Sequence, residues 1–221
     1  MRTAKRAHAL CLVALALAAC GGGGNKPSPQ APEPIAPIPT AGLAGQTVIL
    51  LPLTLIAAED SLHWQAQLAD RHHVLLRADS MVGEMLRTRV PEITWVLPEE
   101  LRHAAHHAPG IAPDPDQMGT SLLRAKEMTV VPDPLRSQLR TLTALTSAGT
   151  FAFAPAALIY RRPDTLHTTV HKEGVGKAEL TCVLVNVRTG QVGWRSVAWG
   201  EGPDPWTALE RALKGLTPGL P

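Results

Sequence analysis

Residues 184–194 read LVNVRTGQVGW, the stretch of this chain that says most about its fold. Apolar residues typical of strands stand on both sides of a polar segment, 188–191, which contains a glycine. Gly190 suits a tight turn because glycine adopts positive φ without steric cost. The pattern predicts a β-hairpin with strands over residues 179–187 and 192–199.

Further strands and helices are predicted on both sides of this hairpin. Short apolar runs at 48–53, 93–97 and 151–160 are typical of strands. Apolar residues recur with helical spacing in four segments, which are 78–86, 98–108, 135–145 and 206–216. This order predicts a single α/β (α+β) domain in which a mixed β-sheet of about five strands is packed by three to four helices.

Three Asp-Pro pairs occur in the second half of the chain, at 114–115, 133–134 and 204–205. An aspartate accepts hydrogen bonds from the first backbone N–H groups of a helix, and proline is well suited to the first helical position. We therefore expect each of the three aspartates to be an N-cap, with Asp133 capping the third helix and Asp204 the fourth.

The amino terminus has the pattern of an export signal. Basic residues at 2, 5 and 6 precede an apolar run at 10–18 that is too short to span a bilayer. The following sequence, LAAC at 17–20, resembles the lipobox of bacterial lipoproteins. The resemblance implies removal of a signal peptide, residues 1–19, attachment of diacylglycerol to Cys20 and acylation (palmitate) of the new N-terminus. An ordinary secretory signal or an uncleaved helix are the alternatives.

A linker is predicted to follow, over residues 20–46. It begins with four glycines and continues with six prolines between positions 27 and 39. Glycine makes a chain flexible and spaced prolines favour extended polyproline II, so we expect a disordered tether between the lipid and a domain at 47–221. A proline-recognition ligand is the alternative to a passive spacer. Residue 21 is glycine and not the aspartate that resembles an inner-membrane retention signal, which favours the outer membrane. We expect the domain on the periplasmic face, with exposure at the cell surface as the alternative.

Composition excludes some classes of function. A formal net charge of +2 with 18% charged residues provides no basic stripe for nucleic acid, so no nucleic-acid partner is expected. Cys11 would leave with the signal peptide and Cys20 would be lipidated, so Cys182 has no partner for a disulfide. It lies in an apolar run and is interpreted as a buried strand residue.

The hairpin, the first strand at 48–53 and the closing helix at 206–216 together resemble a small periplasmic α/β domain. That domain is shared by the N-terminal part of TolB, by outer-membrane lipoprotein activators of penicillin-binding proteins and by curli-secretion lipoproteins. Asn186 stands where the family hairpin has an aspartate. The resemblance implies a domain that offers a surface to envelope proteins. Neither the long membrane hairpins of a secretion pore nor a following β-propeller is evident.

The predicted helix at 98–108 carries the candidate metal ligands. At about 100° per residue, Glu99, His103, His106 and His107 share the face opposite its apolar stripe. His103 and His107, four residues apart, could bind one Zn²⁺, with Glu99 or His106 completing a partial shell. A solvated helix face explains the same pattern.

Tryptophan marks the candidate interaction surface. Trp194 and Trp199 are an odd number of residues apart, so a regular strand would point them to opposite faces of the sheet. One would pack in the core and the other could be an exposed anchor, although packing under a helix or loop is the alternative for either.

Motifs of catalysis are missing from the sequence. No GxSxG nucleophile elbow, HExxH or phosphate-binding loop is present. The sequence predicts no catalytic residue and no cofactor apart from the covalent lipid. We expect a non-catalytic lipoprotein that is anchored in the outer membrane and binds another envelope protein. The alternatives are a periplasmic metal-binding protein or hydrolase that uses His103, His106 and His107, and a self-assembling structural subunit.

Overall fold

Six strands form one mixed β-sheet at the centre of the molecule. They are β1 (Thr47–Leu50), β2 (Ile56–Ala58), β3 (Thr94–Val96), β4 (Phe151–Arg161), β5 (Gly176–Asn186) and β6 (Val192–Gly202). Their order is β3-β1-β4-β5-β6, and β2 continues the line of β1 along β4. β1 pairs in parallel with β3 and β4, β2 pairs in parallel with β4, and β4, β5 and β6 are antiparallel. The predicted mixed α/β sheet is confirmed, with β2 added.

The structure is a computed structural model that describes residues 34–163 and 174–217. The predicted signal peptide, the lipidation site Cys20 and residues 20–33 of the predicted linker lie outside the described residues. Four α-helices are described, which are α1 (Arg71–Arg89), α2 (Pro98–His107), α3 (Leu135–Leu145) and α4 (Pro205–Leu216). None of the helices in the described part of the chain is both long enough and apolar enough to cross a membrane.

Capping explains where α4 and α1 begin. The carboxylate of Asp204 accepts hydrogen bonds of 3.0 Å from the backbone N–H groups of Trp206 and Thr207, as its Asp-Pro pair predicts. Asp70 likewise accepts from the N–H of His73 at 3.1 Å, so α1 begins at Arg71, well before its first predicted apolar residue.

The predicted N-cap of α3 is wrong. Pro134 occupies the cap position, and the carboxylate of Asp133 accepts instead from the hydroxyl of Ser137 at 2.8 Å. A side-chain partner within the first turn has therefore replaced the backbone donors that a capping aspartate would bind.

The sheet separates two hydrophobic cores. The first core lies on the face that packs against α1 and α4, and it includes Val48, Leu50, Phe153, Leu180, Val82 and Leu213. The second core lies on the other face, under α2, α3 and the 3₁₀ helix Thr120–Arg124, and it includes Ile49, Ala154, Val183, Leu101, Leu123 and Leu139. Alternation along each strand supplies both cores, since successive side chains point to opposite faces.

The chain before β1 is packed onto the domain. Ile38 and Leu43 are buried in the first core. The N–H of Ile38 donates to the carbonyl of Leu216 at 3.0 Å, and the N–H of Ala36 donates to the hydroxyl of Ser196 at 3.1 Å. The folded unit accordingly begins at Pro34 and includes residues 34–46, which the sequence assigned to the linker.

The predicted hairpin is confirmed at its turn and at its strands. Gly190 has a φ of +79°, and the side-chain oxygen of Asn186 accepts from the N–H of Thr189 at 3.1 Å. The asparagine thus performs the turn-forming role of an aspartate at this position. A bulge follows, because Val185 pairs with Val192 whereas Leu184 pairs with Trp194, which leaves Gly193 unpaired.

Candidate functional site

The second core covers only half of its sheet face. Its members on β4 end at Ala156, and those on β5 begin at Val183. Beyond that limit no side chain on the same face belongs to either core, although Ala157 and Lys177 are buried there. We call this region the open half and define it by its partly or fully exposed side chains, which are Ile159, Glu179, Thr181, Val197, Trp199 and Glu201.

Strand alternation places Trp199 on the open half. From the bulge onward, residues 194, 196 and 198 of β6 point to the first core, so 197 and 199 point the other way. Trp199 and Val197 are 37% and 38% exposed. Trp194 instead packs on the first core and stacks on Phe153, with ring centroids 6.0 Å apart. The two tryptophans therefore point to opposite faces, and only Trp199 lies on the open half.

Compensated charges lie beside these apolar side chains. The carboxylate of Glu179 is 3.1 Å from the Lys177 ammonium and 3.5 Å from the Arg161 guanidinium. The ammonium of Lys177 also stands 5.6 Å from the centroid of the Trp199 ring, in the range of a cation–π contact. The Lys177 ammonium thus contacts the indole of Trp199, and 37% of that residue stays exposed.

The strand that carries Trp199 is the edge of the sheet. Its beginning is covered, because Val192 donates to the carbonyl of Thr129 at 2.9 Å and the Arg195 guanidinium donates to the carbonyls of Leu123, Lys126 and Met128. From residue 197 onward, none of the described strands except β5 pairs with β6, although the Arg211 guanidinium donates to the carbonyl oxygen of Glu201. An unpaired edge presents backbone donors and acceptors on which another chain can add.

The histidines of α2 lie where the sequence predicts. His103, His106 and His107 are exposed, as is Glu99. The rings of His103 and His107 have centroids 4.2 Å apart, and Nδ1 of His107 is 2.9 Å from the carbonyl oxygen of His103. Across residues 34–163 and 174–217, no group of three or more His, Cys, Asp or Glu side chains is arranged to bind a metal ion. His167 and His171 lie outside the described residues.

A buried ion network, which the sequence reading missed, lies on the other side of α2. Asp79 of α1 is 5% exposed. Its carboxylate accepts from the N–H of Leu53 at 2.8 Å and from Nη2 of Arg102 at 2.5 Å. Arg102 also binds the carboxylate of Asp116, at 2.7 Å through Nη2 and 2.9 Å through Nε. The network ties α1, on the first-core side, to α2, on the second-core side.

Burial sets the protonation of this network. Desolvation raises the pKa of Asp79 to about 6, while the Leu53 N–H and Arg102 act in the opposite direction. For Arg102, burial lowers the pKa but its hydrogen bonds to Asp116 and Asp79 raise it by more, so the guanidinium stays charged. The sequence signal was an aspartate placed next to Ala78 in the apolar stripe of α1.

Cys182 is buried in β5 and is a free thiol, as the sequence predicts. Burial raises the pKa of its thiol well above the usual range, which suppresses the thiolate that a nucleophile requires.

Comparison with known proteins shows a likeness of fold. No protein-family model matches the sequence, and no curated protein matches it significantly. Among solved structures, the LpoB C-terminal domain from Salmonella enterica is 14% identical, with 71% of this chain and 83% of that chain covered and a TM-score of 0.36. CT253, a hypothetical protein from Chlamydia trachomatis, is 10% identical over 78% and 94%, with a TM-score of 0.44.

The lipoprotein GNA1162 from Neisseria meningitidis is also similar, at 12% identity over 70% of this chain and 78% of that chain, with a TM-score of 0.29. Of the structures named here, GNA1162 is described as a lipoprotein. The single α/β domain with a mixed sheet, which the resemblance implied, is confirmed by the strands and helices described above.

Proposed function

We propose that this protein is a non-catalytic, lipid-anchored lipoprotein of the outer membrane whose α/β domain docks on another envelope protein through the open half of its sheet. The observation that carries the proposal is the pair Trp199 and Val197, which lie side by side and exposed on the edge strand β6. The rest of that sheet face is buried under helices.

Physical chemistry favours a protein partner for this surface. Exposed tryptophan provides a large apolar area with few rotatable bonds, and tryptophan is among the residues that contribute most to binding at interfaces. Glu201 and the Lys177, Glu179 and Arg161 ion pairs would form a polar rim around it. A partner strand could also add to the edge of β6, so that backbone hydrogen bonds supplement the apolar contact.

The lipid anchor would determine where in the cell envelope the protein is located. The signal peptide and lipobox at 1–20 support acylation of Cys20, and several acyl chains would hold the protein durably on the membrane. Gly21 supports the outer membrane, with the domain on the periplasmic face. A tether that starts at Cys20 and meets the folded unit at Pro34 would let the domain reach its partner.

Capture from intact envelopes tests the proposal. The full lipidated chain is crosslinked in cells as wild type, Trp199→Ser and Ile111→Ser, the last being a matched control because Ile111 is apolar and 74% exposed but lies away from the sheet. We expect wild type and Ile111→Ser each to capture the same specific envelope protein. Loss of an interface tryptophan costs about 2 kcal/mol or more, so Trp199→Ser should reduce capture at least about tenfold.

The outcomes separate the alternatives. Cys20→Ser should also lose the partner, because the domain would no longer be held at its membrane. Equal capture by Trp199→Ser and wild type would contradict the proposal. Capture of further copies of this chain alone would indicate the self-assembling subunit instead.

A further inference from the structure

Two arginines of α3 contact the turn of the β5–β6 hairpin, which itself contains a third arginine. Arg136 and Arg140 stand one turn apart on α3, and Arg188 opens the hairpin turn itself. Nη2 of Arg140 donates to the carbonyl oxygen of Arg188 at 2.5 Å, and Nη2 of Arg136 donates to the same oxygen at 3.4 Å. Two guanidinium groups are thus held against one neutral acceptor, with a third positive side chain on the same residue. We call these three residues the arginine cluster.

Packing fixes the guanidinium group of Arg136, and hydrogen bonds hold that of Arg140. The side chain of Arg136 lies over Gly190, where an added Cβ would stand 2.9 Å from both Cδ and Nε of the arginine. Nε of Arg136 is buried and has no hydrogen-bond partner among the described residues. Nε of Arg140 donates to the carbonyl of Val187 at 3.4 Å. The fold therefore holds these two charges in place, although most of their N–H groups form no hydrogen bond with another described residue.

The arginine cluster has no counter-charge within residues 34–163 and 174–217. No carboxylate there forms an ion pair with any of its members. Asp133, the acidic residue on the same segment, accepts from the hydroxyl of Ser137. Arg87, in contrast, is paired with Glu100, and Arg102 with two aspartates. Like charges without a counter-ion repel each other, so an external anion would complete the arrangement.

We infer that the arginine cluster is a second docking site, which binds a carboxylate-rich segment of a protein partner. Guanidinium presents its N–H groups in a planar fork that matches a carboxylate in two-point contact, and a fixed fork loses less entropy on binding than a free one. Val130, 51% exposed and bridged to Gln191 beside the turn, offers an apolar contact to the same segment. A membrane surface would need only the positive charge, so the held geometry favours a carboxylate.

Fluorescence anisotropy with a labelled hexaglutamate peptide tests this inference on the full lipidated chain in a neutral detergent. Wild type should bind the peptide, and rising salt should weaken the binding. The double variant Arg136→Lys/Arg140→Lys keeps the charge but loses the fork, and we expect at least a tenfold weaker affinity. The control Arg87→Lys/Arg124→Lys, with the same number of changes elsewhere, should bind as wild type does.

Hexaglutamate binding also distinguishes the arginine cluster from the open half of the sheet. Trp199→Ser should leave hexaglutamate binding unchanged, so either proposal can fail without the other. Equal binding by Arg136→Lys/Arg140→Lys and wild type would overturn the inference, since charge alone would then suffice and an anionic membrane would be the better ligand. No binding by wild type would overturn it as well. Circular dichroism verifies that each variant is folded.

Discussion

The two halves of one sheet face differ in what covers them. On the covered half, Val183 of β5 packs beneath Leu139 and Leu142 of α3, and all three side chains are fully buried. On the open half, the neighbouring strand β6 presents Trp199 and Val197 with more than a third of each exposed. The same strands run through both halves. The difference shows that one sheet face is buried where helices cover it and leaves apolar side chains exposed elsewhere, and we propose that the exposed side chains bind a partner.

The largest expected effect is a loss of stability on the covered half. Leu139→Ala removes a fully buried side chain from the second core and leaves a cavity, so the free energy of unfolding should fall by about 3 kcal/mol. Val197→Ala, on the open half, removes a partly solvated side chain and should cost less than about 1 kcal/mol. Urea denaturation of both variants measures the contrast. Similar losses at the two positions would mean that the halves do not differ in packing.

A smaller effect on stability, which depends on pH, is expected from Asp79, the buried aspartate that links α1 to α2. The pKa of Asp79 is about 6 in the folded protein and lies near 3.8 in the unfolded chain. The folded state therefore binds the proton more tightly, and the stability that this proton provides is present below about pH 4 and is lost as the pH rises to about 6. Between pH 4 and pH 7 the loss amounts to about 2 kcal/mol.

Asp79→Asn isolates this contribution, because the amide oxygen can still accept from the Leu53 N–H but has no proton to lose. The difference in unfolding free energy between the variant and wild type should shift by about 2 kcal/mol in favour of the variant from pH 4 to pH 7. A difference that is the same at both pH values would show that the carboxylate of Asp79 is not desolvated as described.

Local signals predicted much of the fold. The hairpin at 184–194 carries its turn chemistry in Gly190 and Asn186, and α4 carries its cap in Asp204, so both could be placed from adjacent residues alone. Strand β2 could not be predicted from adjacent residues, because Ile56–Ala58 is only three residues long and largely exposed. It forms through its pairing with β4, about a hundred positions later in the chain. The packed residues 34–46 are proline-rich like a linker, and only their contacts with Leu216 and Ser196 reveal their place.

Sites were harder to predict than elements because they depend on contacts between distant residues. The odd spacing of Trp194 and Trp199 was enough to separate their faces, but which face stays open depends on where α2 and α3 end. The partnership of Asp79 with Arg102 joins two helices whose relative position no periodicity encodes. The arginine cluster arises likewise from the packing of α3 on the hairpin turn.

The central claim is that the open half of the sheet is where this protein meets a partner. Site-specific photocrosslinking in intact envelopes tests it most directly, with a photoreactive phenylalanine derivative placed at position 197 of the lipidated chain and, for comparison, at position 111. We expect one discrete envelope protein crosslinked from position 197 and not from the more exposed position 111. The same products from both positions, or none from 197 in envelopes that contain the anchored protein, would contradict the claim.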